Sequence, residues 1–295
     1  MIEARNLRKE YSGFVAVEGS TFSVEQGEVF GLIGPNGAGK TTTLKMLAGL
    51  LEPTAGGATV AGYDVGKTEM RRHLGFLPEE SPLYEEMTPI SYLKFFADLY
   101  DVSPSDARQR IANTLDELDL THRDRQLGDM SKGMKRKVAI ARSLINDPDV
   151  LIYDEPASGL DPLTTNYIIE FIEELAAEGK TIVFSAHNLF HVESICDRVA
   201  IMNEGAIVTS GDLDRLQDEY GETIYHVYTT VEIPDSVTKN GQYLRSVESM
   251  EAVEAVREEA TRAGGQVTDI RTEESSLEEV FLNVARSGRG REAKE

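Results

Sequence analysis

The chain has 295 residues, room for roughly two domains at about 150 residues each and for at least one large core. Its 51 Asp and Glu outweigh 30 Lys and Arg to give a formal charge of −21, which opposes sequence-independent binding to nucleic acid. Hydrophobic residues at 40% and 25 Gly exclude disordered and collagen-like chains. Along the chain, the apolar run Glu28 to Ile33, bracketed by turns, predicts a buried strand, and a helix follows over Thr41 to Leu50. Helical periodicity then covers Ser91 to Tyr100 and Asp106 to Leu118, and the stretch from about Pro89 to Asp129 carries no strand signal, so it reads as a helical insertion. A helix over Met134 to Leu144, a strand over Val150 to Tyr153, a helix over Leu163 to Ala177 and a strand over Thr181 to Ser185 complete an alternating layer of the α/β class. Val199 to Met202 and Ala206 to Thr209, split by Asn203-Glu204-Gly205, read as a short hairpin.

Beyond about Tyr220 the pattern changes to a strand over Thr223 to Val231, a helix over Met250 to Arg262 and an extended stretch over Gln266 to Arg271. Ser275 or Ser276 then stands in capping-box spacing before a last helix through about Ala285. The expected organisation is a domain over 1–219 with a helical subdomain at about 89–129, a small α+β appendix over 220–286, and a disordered tail over 287–295. No window approaches the ~18 apolar residues of a spanning helix. The N-terminus lacks the apolar core of a signal peptide. The single cysteine, Cys196, lies in an apolar stretch and can form no internal disulfide.

Gly34-Pro35-Asn36-Gly37-Ala38-Gly39-Lys40-Thr41-Thr42, between a predicted strand and a predicted helix, has the spacing of a phosphate-binding loop. Its glycines let successive backbone N–H groups turn toward phosphate oxygens, and the helix N-terminus adds partial positive charge. Lys40 would reach the β- and γ-phosphates and the Thr41 hydroxyl would ligate Mg²⁺. The strand Val150 to Tyr153 ends in Asp154-Glu155, two carboxylates whose tip should lie beside that loop. Asp154 would hold the Mg²⁺ shell and Glu155 would orient or deprotonate an attacking water.

With Asp129-Met130-Ser131-Lys132-Gly133-Met134-Lys135 opening a helix shortly before that acid pair, the chain resembles the ATP-binding subunit of an ABC transporter. That segment stands where the family carries a signature motif, usually Leu-Ser-Gly-Gly-Gln. The serine and second glycine remain, while Met130, Lys132 and Met134 depart from it in the manner of exporter ATPases of the sodium, drug and multi-substance type. The resemblance implies a P-loop ATPase core, hydrolysis of ATP with Mg²⁺, and Ser131 and Gly133 contacting the nucleotide of an opposite subunit in a two-chain sandwich. It also implies Asp161, in Ser158-Gly159-Leu160-Asp161, at the subunit interface, His187 on the γ-phosphate and Tyr11 stacked on adenine. Glu79 occupies the slot of a family glutamine that ligates Mg²⁺; it reads either as a harder oxygen ligand or as one more solvated acid. The implied partners are a second such subunit, as a homodimer, and a separate integral-membrane permease, with no nucleic acid. The implied location is cytoplasmic, peripheral on the inner face of the membrane.

Two other classes fit less well. Ribosome- or DNA-associated ABC ATPases usually carry two ATPase units in one chain, long coiled coils or zinc cysteines, and a guanine-specific switch would want Asn-Lys-x-Asp; none is present. Lysine supplies 11 of the 30 cations and arginine 19, and this acidic, lysine-poor composition resembles that of proteins adapted to high salt, as in a halophilic archaeon.

Overall fold

The computed structural model describes residues 1–186, 188–239 and 241–292, with side chains to residue 284. By packing, the chain divides into two units, Met1–Asp212 and Leu213–Glu295. The first unit is built on β1 (Ile2–Tyr11), β2 (Phe14–Val24), β3 (Val29–Ile33), α1 (Lys40–Leu47), β4 (Ala55–Val60), β5 (Tyr63–Asp64) and β6 (Leu74–Leu77). It continues through α2 (Pro89–Leu99), α3 (Pro104–Glu117), α4 (Lys132–Leu144), β7 (Val150–Asp154), α5 (Pro162–Ala177), β8 (Thr181–Ala186), α6 (Leu189–Ile195), β9 (Arg198–Asn203) and β10 (Ala206–Asp212).

Six of these strands form one sheet in the order β10-β9-β3-β8-β7-β6, parallel except for β10 at its edge. Every residue of β3, β7 and β8 is buried, as expected of central parallel strands covered on both faces. On one face Phe30, Leu32, Ile152 and Val183 pack with Leu44, Met46 and Leu47 of α1. On the other, a Cβ at Gly31 would meet Cys196 Sγ at 2.8 Å and crowd Val192 of α6, so this strand and helix approach at a distance that only glycine allows. The expected hairpin over 199–209 exists, and its first strand also pairs in parallel with β3.

A second sheet, β2-β1-β4-β5, is antiparallel and was not expected from the sequence. It shares its core with the main sheet through Ile2, Ala4, Leu7, Val24 and Val60. The helical insertion is α2 and α3. Both open on a hydroxyl N-cap with proline in the first turn: Thr88 in a capping box with Ser91, and Ser103 accepting from the Asp106 N–H at 3.2 Å.

The second unit holds α7 (Leu213–Tyr220), β11 (Thr223–Thr229), β12 (Val237–Lys239), β13 (Gln242–Val247), α8 (Met250–Arg262), β14 (Val267–Glu274) and α9 (Leu277–Glu292). Its sheet, β12-β13-β11-β14, is antiparallel, and α8 covers it with Val253, Val256 and Ala260 against Val227 and Ile233. Two expectations are corrected here. The boundary falls after Asp212 rather than 219, because α7 packs against α9 and belongs to the second unit. The last helix passes Ala285 and takes in 287–292. Gly288 and Gly290 lower helix propensity but keep their N–H donors, so neither stops it. Residues 293–295 of the expected tail lie outside the described residues, as does His187.

Candidate functional site

The loop from Gly34 to Gly39 joins the buried strand β3 to α1, and its backbone decides which residues it can contain. Gly39 has φ +104, and a Cβ there would stand 2.6 Å from the Ala16 carbonyl oxygen. Gly37 has φ +83. Any side chain at either position meets strain or a clash. The resulting hollow has a volume of about 710 Å³ and is lined by Tyr11, Phe14 and Ala16 from the β1–β2 turn, by residues Gly34 to Thr42, and by Glu79, Glu155 and Ser158. Every expected residue of the phosphate loop is therefore in one cavity with Tyr11, Glu79 and Glu155.

Within it, Lys40 is 6% exposed and donates from Nζ to the Gly34 carbonyl at 2.7 Å and the Pro35 carbonyl at 3.3 Å. Glu155 Oε1 lies 3.9 Å from the same nitrogen. Burial lowers the Lys40 pKa, opposed by the charges of Glu155, Asp154 and Glu79. Asp154 ends β7 beneath the loop, 1% exposed. Its Oδ1 accepts from Thr41 Oγ1 at 3.2 Å and from Ser185 Oγ at 2.6 Å, while among the described residues its buried Oδ2 has no hydrogen-bond partner. Glu155 follows in a left-handed backbone conformation, φ +49, which costs a non-glycine residue on the order of 1 kcal/mol and marks a turn held by its surroundings.

What holds it are two residues that the sequence reading did not single out. Ser185, at the end of β8, accepts from the Glu155 N–H at 3.0 Å while donating to Asp154. Arg136, in the second turn of α4, donates to the carbonyls of Asp154, Glu155 and Pro156 and also to those of Pro78 and Glu79. Signals for both existed. Ser185 is the polar residue in the otherwise apolar end of a buried strand, and Arg136 falls three, four and seven residues before Ala139, Ile140 and Ser143 on the buried stripe of its helix.

The family profile described as ABC transporter matches residues 17–158. The linearmycin resistance ATP-binding protein of Bacillus subtilis is 32% identical over 304 residues, spanning 96% of this chain and 98% of that protein. The chain belongs to the ATP-binding subunits of ABC transporters. The Nod factor export ATP-binding protein I of Burkholderia orbicola is 39% identical over 231 residues, 77% of this chain and 76% of its own. A solved dimeric structure of a bacterial ABC transporter cassette superposes with a TM-score of 0.67 at 25% identity, covering 72% of this chain and 99% of that one. This ABC subunit is accordingly an ATP-binding and ATP-hydrolysing chain, and no helix among its described residues is long and apolar enough to cross a membrane.

Ser131, Gly133 and Asp161 of this ABC subunit do not line the cavity. Ser131 is exposed and caps α4, accepting from the Met134 N–H at 3.2 Å. Gly133 faces α5 closely enough that a Cβ would meet Thr164 Cγ2 at 3.0 Å, and one at Gly159 would meet Lys132 Nζ at 2.3 Å. The signature segment thus lies against the Ser158-to-Asp161 loop of its own chain. Asp161 caps α5, accepting from the Thr164 N–H at 3.0 Å and the Thr164 hydroxyl at 2.7 Å, and these bonds hold its carboxyl below the usual range.

Proposed function

We propose that the chain is the motor subunit of an exporter: ATP joins two copies through their first units, hydrolysis separates them, and a separate membrane permease turns that cycle into transport at the cytoplasmic face. The observation that carries this reading is the buried acid pair Asp154–Glu155 beneath a phosphate loop, with Thr41 Oγ1 3.2 Å from Asp154 and Lys40 Nζ 3.9 Å from Glu155. Export is favoured by the names of the linearmycin resistance and Nod factor export relatives.

In this reading the loop N–H groups and Lys40 bind the β- and γ-phosphates, which compete with the Gly34 and Pro35 carbonyls for the ammonium. Thr41 and Asp154 suit Mg²⁺. The cation prefers hard oxygens and is usually held by one or two carboxylates plus substrate phosphates. Asp154 Oδ2, which has no partner among the described residues, is such an oxygen, and the absence of any cluster of three acidic, histidine or cysteine ligands among those residues is no obstacle. Bound there, the ion neutralises charge on the phosphates. Glu155 accepts a proton from the attacking water. Tyr11, 45% exposed at the cavity mouth, presents a face to the adenine, and Glu79 stands as a second oxygen donor. Ser131, Gly133 and Asp161 serve the nucleotide of the opposite copy, and His187 the γ-phosphate.

The purified chain should hydrolyse ATP only with a divalent cation, and Glu155→Gln should lower that rate by about 10²-fold or more while ATP still binds. A Glu155→Gln protein as active as the unaltered chain would overturn the assignment of the base.

A further inference from the structure

Arg136 is 7% exposed and spends all of its hydrogen-bonding capacity on two stretches of backbone. Nη1 donates to the Pro78 carbonyl at 2.7 Å and the Glu79 carbonyl at 2.9 Å. Nη2 donates to the Asp154 carbonyl at 3.1 Å and the Glu155 carbonyl at 2.8 Å, and Nε to the Pro156 carbonyl at 2.7 Å. A guanidinium has five N–H donors in a fixed planar fork, so each donor has one acceptor and none is left over. No carboxylate lies within ion-pair distance among the described residues: every hydrogen bond goes to a carbonyl, and burial brings the pKa down to about 10 against the more distant charges of Asp154 and Glu79. The group is still charged at neutral pH.

From this geometry we infer that Arg136 is a positioning residue for hydrolysis: one rigid cation fixes the segment carrying Glu79 against the turn carrying Asp154 and Glu155, so that the two candidate nucleotide-contacting stretches move as one body. Three observations make the link specific. Pro78 and Glu79 follow β6, whereas residues 154–156 leave β7, and among the described residues only α4 supplies a side chain that bridges both. Glu155 holds a left-handed φ of +49, a conformation that persists only where neighbours over-determine it, and its carbonyl is fixed by Arg136 as its N–H is by Ser185. The bonds all go to main chain, so they set backbone placement and leave the Glu79 and Glu155 carboxylates to face the cavity that both line. Lysine could not substitute, since its ammonium offers three donors from a single atom and cannot span five carbonyls on two sides.

The inference rests on the reading of Glu155 as the base, and its test is arranged so that the two fail separately. Arg136→Lys and Arg136→Ala are compared with the unaltered chain and with Glu155→Gln for kcat, KM for ATP, affinity for a non-hydrolysable ATP analogue, and melting temperature. Displacement of a reacting group by about 1 Å costs on the order of 10²-fold. Arg136→Lys should therefore lose between about 10- and 100-fold in kcat, with analogue affinity within about threefold of the unaltered chain. In Arg136→Ala, millimolar guanidinium should restore part of kcat, while the same salt leaves the unaltered chain unstimulated. An Arg136→Lys protein with full kcat overturns the inference, as does one whose kcat and analogue affinity fall together in step with a lower melting temperature. If Glu155→Gln itself remains active, the base assignment fails and not the clamp alone.

Discussion

Lys40 and Ser185 show how single side chains in the cavity can be separated by their effects. Lys40→Ala removes the only cation that lines it among the described residues, so ATP affinity by calorimetry should fall by about tenfold or more, as loss of one charge-assisted hydrogen bond of roughly 1.5–3 kcal/mol requires. Unchanged affinity would detach the loop from phosphate binding. Ser185→Ala should act on the protein before the ligand, because it strips the buried Glu155 N–H of its acceptor and Asp154 of a donor at 2.6 Å. An orphaned buried group costs roughly 1–3 kcal/mol, so Ser185→Ala should lower the melting temperature by several degrees as well as kcat. A melting temperature equal to that of the unaltered chain would show that the Glu155 turn holds without it. At this scale the loop from Gly34 to Thr42 and the acid pair were legible because their residue types and spacing have few other uses. Arg136 was harder to see: within Lys132-Gly-Met-Lys-Arg-Lys137 it reads as one more solvated cation, and its spacing to Ala139, Ile140 and Ser143 is the one feature that sets it apart from its neighbours.

The elements that sequence reasoning recovered carry a strong local signal, either unbroken burial or a cap and a period. Strands β3, β7 and β8 are buried at every residue, so an apolar run is their whole signal, and helices α3 and α5 carry an N-cap and a first-turn proline. Strand β1 escaped because its pairing with β2 slips between Ala4 and Leu7, between Leu7 and Lys9, and between Lys9 and Glu10. Each irregularity shifts the in–out alternation on which a period-two reading depends. The short β6, four residues long, leaves too little pattern to see. For α2 the cap makes a direct prediction: Thr88→Ala removes the hydroxyl that accepts from the Ser91 N–H at 3.3 Å and should destabilise the first unit by about 0.5–2 kcal/mol. A loss below that range in urea unfolding would mean that Pro89 alone sets the start of the helix. The same helix leaves Phe95 and Leu99 exposed, with Tyr84 just before it, and the segment 79–100 is where a cytoplasmic helix of the permease should seat. Paired cysteines across that contact should cross-link in a nucleotide-dependent way, and their failure to do so would move the docking face elsewhere.

For the whole molecule the dominant quantity is the charge of −21. At 0.01 M salt the screening length is about 30 Å and like charges across the surface repel; at 1 M it is about 3 Å and only neighbours interact. Melting temperature and ATPase rate should therefore both rise from 0.1 M to 3 M KCl, and flat or falling profiles would mean that the acidity serves solubility alone. The two-unit organisation was legible from the change of pattern near Tyr220, although its boundary was not, because α7 carries no break in sequence where it joins the second unit. The same repulsion opposes pairing of two copies, so the association that ATP must bring about is best sought in salt. The most direct test of the account is the mass of Glu155→Gln in solution by light scattering, at molar KCl, with and without ATP. With ATP and Mg²⁺ the mass should double, and it should return to that of one chain when Lys40→Ala is added to Glu155→Gln. A single-chain mass under every condition would contradict the two-copy ATPase.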